Sequence, residues 1–140
     1  IRGDRFLSMD QIVRMCLRSV SPGARDGSPF AVLGEAEGGR VLAVPVGPTE
    51  ACAMVMEMEG ITPIRPLTHD LLASFFREAG FVLDRMELSP GPHGGLKARL
   101  FYRTGSRMRA REVRPSDALA LAQRLGAPIY AEARLIRSLG

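Results

Sequence analysis

At 140 residues, with 46% hydrophobic and 24% charged side chains, the chain fits one folded domain and disorder is not its default. No apolar run approaches ~18 residues, so no segment reads as a membrane-spanning helix. The net charge is +4 and the pI is near 9.8, and of the 19 basic residues only Lys97 is a lysine, a balance that favours an anionic partner.

Residues 1–8 read as an N-terminal extension or a remnant, without the long apolar segment of a signal peptide. Residues 9–140 read as a single domain. "MDQIVRMCLRSV" (9–20) predicts a strand, and "SPGARDGSP" a loop dense in turn formers. "FAVLGEA" and "RVLAVPV" flank "EGG" and predict a hairpin. "GPTEACAMVMEMEG" predicts a helix, with Pro48 and Glu50 in its first turn and Ala51, Met54, Val55 and Met58 on its apolar face. "PLTHDLLASFFREAG" predicts a second helix, with Leu72, Phe75, Phe76 and Ala79 inward. "FVLDRMELSP" is strand-like and "GPHGG" a turn, with His93 a loop residue rather than a ligand. "LKARLFYRTGSRMRAREV" predicts two strands joined at Thr104-Gly105-Ser106. "PSDALALAQRLG" predicts a third helix, with Ala118, Leu121, Ala122 and Leu125 inward. "APIYAE" predicts a last strand and "EARLIRSLG" a short helix. Hairpins outnumber crossovers, which predicts a one-domain α+β fold: a mixed or antiparallel sheet with three to four helices. Cys16 and Cys52 lie far apart without C-x-x-C spacing. They read as buried free thiols, which suits a cytoplasmic protein.

Alternation along the arginine-rich hairpin sets Lys97, Arg99, Phe101 and Arg103 on one face of its first strand. It sets Arg107, Arg109 and Arg111 on one face of the second. If the turn brings both rows to the same side, six cations share one surface and suit a nucleic acid. Neighbouring acids such as Asp84 and Glu87 are the other way to balance that charge.

Two runs echo each other, "RPLTHD" (65–70) and "RPSD" (114–117). Helix initiation explains most of both. Pro66 and Pro115 suit a first turn, Thr68 and Ser116 can cap amides, and Asp70 and Asp117 meet the helix dipole and can pair with Arg65 and Arg114. Capping does not ask for His69.

"LAVPVGPTEA" (Leu42–Ala51), "RPLTHDLL" (Arg65–Leu72) and "VRPSDALALAQRLGAPIY" (Val113–Tyr130) occur in this order, and together the chain resembles the bifunctional nuclease family over nearly its whole length. Where that family commonly reads Asp-Ala before Arg-Pro-Ser-Asp, this chain has Glu112-Val113. The resemblance implies hydrolysis of phosphodiester bonds in RNA and DNA. Such chemistry needs an activated water, charge relief at phosphorus and a stabilised leaving oxygen. The candidate catalytic residues are His69, Asp70, Asp117 and Glu50. Asp70 and Asp117 are the expected ligands of a Mg²⁺ or Mn²⁺ ion, with Glu50 a further oxygen donor, and His69 could relay a proton or bind a softer metal. Arg65, Arg114, Thr68 and Ser116 are the candidate phosphate contacts. The alternative is a non-catalytic ligand-binding or regulatory module whose polar runs are structural. Strand edges that need cover, and the apolar tail "APIYAEARLIRSL", predict a homo-oligomer, most simply a dimer.

Overall fold

A computed structural model describes residues 12–21 and 27–139, with the side chains of 137–139 not among them. The expected extension 1–8, the start of the first predicted strand at 9–11 and most of the predicted loop before the hairpin lie outside the described residues.

The strands are β1 (Ile12–Ser21), β2 (Phe30–Glu35), β3 (Val41–Pro45), β4 (Phe81–Pro90), β5 (Leu96–Thr104), β6 (Arg107–Val113) and β7 (Ile129–Glu132). They form one sheet in the order β3-β2-β1-β7-β4-β5-β6. All neighbours are antiparallel except β4 and β7, so the sheet is mixed. The helices are α1 (Pro48–Met58), α2 (Thr68–Glu78), α3 (Pro115–Leu125) and α4 (Ala133–Leu139). The α+β architecture expected from the hairpin-rich sequence is the one observed.

Strand alternation decides which sheet face is covered. Met15 pairs with Ile129, Ile129 with Met86, and Met86 with Leu100. Leu33 pairs with Leu42 on the other wing. These residues share a face, are buried, and join the helices' buried side chains in one core. Ala118 to Ala122 are all buried, so α3 is enclosed on more sides than its predicted stripe required. It packs against α1, α2, β4 and β5.

Two helices turn differently from the expected stripes. In α1, Ala51, Ala53 and Met54 face inward, while Val55 and Met58 are exposed. In α2, His69 and Ala73 are buried and Phe76 is half-buried, while Leu72, Phe75 and Ala79 face out. Apolar residues at 71, 72, 73, 75 and 76 span too wide an arc to choose a face. The small Ala73 is where α2 can approach closely. Phe76 meets Phe81 and Tyr102, with centroids 5.4 and 5.7 Å away. The thiols also depart from expectation: Cys16 is partly exposed and Cys52 exposed.

The hairpin turn divides the basic residues. Gly105, at φ 66°, and Ser106 form a two-residue loop, so Thr104 pairs with Arg107, Tyr102 with Arg109 and Leu100 with Arg111. Cross-strand partners share a face. Arg107, Arg109 and Arg111 therefore lie on the side opposite Lys97, Arg99 and Arg103, and the expected surface of six cations is not formed. Arg99 instead sits between Glu87 and Glu112 in register, and Arg103 reaches Asp84 at 3.7 Å.

Candidate active site

The starts of α1, α2 and α3 converge. Glu50 comes from the first turn of α1, His69 from that of α2, and Arg114 and Asp117 from the start of α3. Donor atoms of Glu50, His69 and Asp117 all lie within 4.8 Å of one another. His69 Nε2 lies 3.2 Å from Asp117 Oδ1. Arg114 Nε and Nη2 donate to the two Asp117 oxygens at 2.7 and 3.0 Å, and Nη2 reaches Glu50 Oε2 at 3.4 Å.

Burial grades the four groups. His69 is 5% exposed, and its Nδ1 is buried without a hydrogen-bond partner. The Glu50 side chain is 12% exposed, Asp117 33% and Arg114 68%. An anion arriving from solvent therefore meets the guanidinium first. The Arg114 guanidinium, hydrogen-bonded to Asp117, holds that carboxyl below its usual value; partial burial opposes this and the His69 contact adds to it. With a folded pKa below the unfolded one, the stability this carboxylate contributes is present above the unfolded pKa and is lost as pH falls through the folded one. The cluster should thus keep Asp117 ionised throughout mildly acidic solution. A carboxyl NMR titration of Asp117 with its midpoint at or above the ordinary aspartate value, ~3.9, would contradict this.

The helix starts differ from the capping scheme read in sequence. The N-cap positions are Gly47, Leu67 and Arg114, none of which makes a side-chain cap hydrogen bond. Pro115 does open α3, but Pro66 precedes α2, and Thr68 and Ser116 sit inside the first turns rather than capping them. Ser116 is buried, Thr68 and Arg65 are exposed. Uncapped first-turn amides suit an anion.

Asp70 is not part of the cluster. Its Oδ2 accepts the Leu67 N–H at 3.0 Å, and its Oδ1 faces Arg124 Nε at 2.5 Å as an ion pair rather than an aligned hydrogen bond. Arg124, only 12% exposed, also meets Glu57. The expected Arg65–Asp70 pairing is replaced by Arg124. Adjacent helix positions point about 100° apart, so His69 and Asp70 serve different neighbours. The hairpin cations do not enter the cluster either.

Sequence reading missed two features. Gly47 is one: an added Cβ would lie 2.3 Å from Glu50 Oε1, so glycine there lets the carboxylate fold back toward the site. The other is a cleft of about 360 Å³ beside His69, lined by Pro48, Thr49, Cys52, Ala53, Leu67 and Thr68. The "GPTE" run carried the signal for the first; the second exists only once α1 and α2 meet.

Residues 31–140 match the bifunctional nuclease domain. Uncharacterized protein MT1877 of Mycobacterium tuberculosis (strain CDC 1551 / Oshkosh) and Uncharacterized protein Rv1829 of strain ATCC 25618 / H37Rv are each 36% identical over 112 residues. The alignment covers 80% of this chain and 66% of each relative.

Proposed function

The chain belongs to the bifunctional nuclease domain family, and from that premise we propose that it hydrolyses phosphodiester bonds in RNA and DNA at the Glu50–His69–Asp117–Arg114 cluster. The observation that carries this is the meeting of a proton-exchanging imidazole, two carboxylates and an exposed guanidinium at three helix starts. Hydrolysis adds water across one P–O bond: the water loses a proton and the leaving oxygen gains one. Glu50 is the proton acceptor, and His69, oriented by the ionised Asp117, can hold or release the proton. Arg114 exchanges carboxylate for phosphate oxygens, and the uncapped amides add donors where negative charge grows. Asp70 stabilises the start of α2 through the Leu67 amide and Arg124 and lies outside the reacting cluster.

Arg114 already pairs with both carboxylates, which favours the second reading, a non-catalytic ligand-binding or regulatory module. Labelled RNA and DNA oligonucleotides incubated with purified protein separate the two. Cleavage that disappears in Glu50→Gln protein supports the enzyme; no cleavage, or equal cleavage by that variant, removes it.

Assembly belongs to the same proposal. No helix among the described residues is long and apolar enough to cross a membrane, and a cytoplasmic location is the one that suits two free cysteines. Leu71, Leu72 and Phe75, with Phe75 58% exposed, form an uncovered apolar face on α2. A two-fold homodimer would bury it against itself. Phe75→Asp should convert a dimer to a monomer in light scattering at micromolar concentration, and a monomeric parent protein would end the idea.

A further inference from the structure

We propose that Glu50, His69 and Asp117 form a binding site for one divalent transition cation of the Mn²⁺ or Zn²⁺ kind, with Arg114 standing in for its charge until it binds. The donor set is one imidazole nitrogen and two carboxylates from three helices. The imidazole suits Zn²⁺ and the two carboxylates suit Mn²⁺, whereas Ca²⁺ takes about six to eight oxygens, more than three side chains offer. At metal–ligand lengths of about 2.1 Å, an octahedral shell puts neighbouring ligands roughly 3.0 Å and opposite ones roughly 4.2 Å apart, and a tetrahedral zinc shell puts them roughly 3.4 Å apart. The His69–Asp117 separation of 3.2 Å is already a neighbouring-ligand spacing. The full set lies within 4.8 Å, near the span of opposite ligands. This differs from the pair read in sequence, because Asp70 is held by Arg124 and the Leu67 amide.

Arg114 supplies the second observation. Two carboxylates this close repel unless a cation lies between them. The guanidinium bridges both, yet its side chain is 68% exposed and can swing outward. Ligation by Nε2 needs the neutral imidazole with its proton on Nδ1, the nitrogen now buried without a partner. The helix starts add positive potential, so a bound dication leaves surplus positive charge, which an anionic phosphate neutralises. The proposal places the ion at the site of the nuclease reading, but its test is independent of turnover.

Titration calorimetry of the whole chain with MnCl₂ and with ZnCl₂ reads the site directly. One ion per chain is expected. His69→Ala and Glu50→Gln should each weaken binding at least about tenfold, whereas Arg114→Ala, which removes a competing cation, should tighten it by up to about tenfold. Asp70→Asn should leave affinity unchanged. Circular dichroism confirms that each variant is folded, and Glu50→Gln decides should His69→Ala fail to fold. Absence of stoichiometric binding, or affinity indifferent to Glu50→Gln, overturns the proposal. Cleavage that continues in chelator without ion binding would leave the nuclease reading standing and remove the metal. Ion binding without cleavage would do the reverse.

Discussion

Asp117→Asn is expected to lower phosphodiester hydrolysis by about 10²–10⁴-fold with a modest loss of stability, while Asp70→Asn should cost mainly stability. Asp117 touches His69 and Arg114 and is one-third exposed, so its loss removes the group that orients the imidazole. The amide keeps the shape but not the charge. Asp70 has two structural contacts, the Leu67 amide and the enclosed Arg124. Losing the cap contact costs roughly 0.5–2 kcal/mol. Arg124 keeps Glu57, which limits the further penalty below the ~3–5 kcal/mol of a fully orphaned buried charge. The melting temperature should therefore fall for Asp70→Asn, and the rate per folded molecule should hold. Because the two sites share no partner, stability effects in the double variant should add. Equal activity losses in both single variants, with no melting shift in either, would show that Asp70 acts with Asp117 after all.

The difference between these aspartates was not legible in the chain, for a reason that can be named. "RPLTHD" and "RPSD" present the same residue types, and both are compatible with a helix start. What separates them is a partner distant in sequence: Arg124 for Asp70, and Glu50 and His69 around Asp117. His69 was legible as a residue that capping does not explain, and Glu50 as a first-turn acid. The strand and helix order was legible because proline, glycine and period-2 alternation mark most boundaries. The rotation of α2 was not, since its apolar residues outnumber the positions one face can bury. The hairpin's charge distribution turned on a single local choice, a two-residue loop at Gly105-Ser106. One residue more in that loop would have put all the cations on one side.

That loop sets up the second large effect. Arg107, Arg109 and Arg111 are exposed along the edge strand β6, which runs directly into Arg114 at the cluster. Residues two apart on a strand are about 6.8 Å apart, so the row spans roughly 14 Å and leads toward the site. Lys97, Arg99 and Arg103 lie on the other face, where Arg99 is in register with Glu87 and Glu112, Arg103 reaches Asp84, and Lys97 stands opposite Ser89. Only the first row is placed to contact a strand whose scissile phosphate is at Arg114. Replacing all three β6 arginines with alanine should therefore cut affinity for a random single-stranded oligonucleotide. If each contacts one phosphate, the slope of log K against log salt should flatten by about 2, from roughly 0.7 per contact. Hydrolysis of a substrate too short to reach β6 should be unchanged, because the cluster itself is untouched. The matching Lys97, Arg99 and Arg103 triple variant should flatten the slope far less. Fluorescence anisotropy across a salt series on the three proteins measures this. Equal flattening by both triple variants would mean that the strand crosses the outer sheet face instead, and no flattening by either would remove the hairpin from nucleic-acid contact.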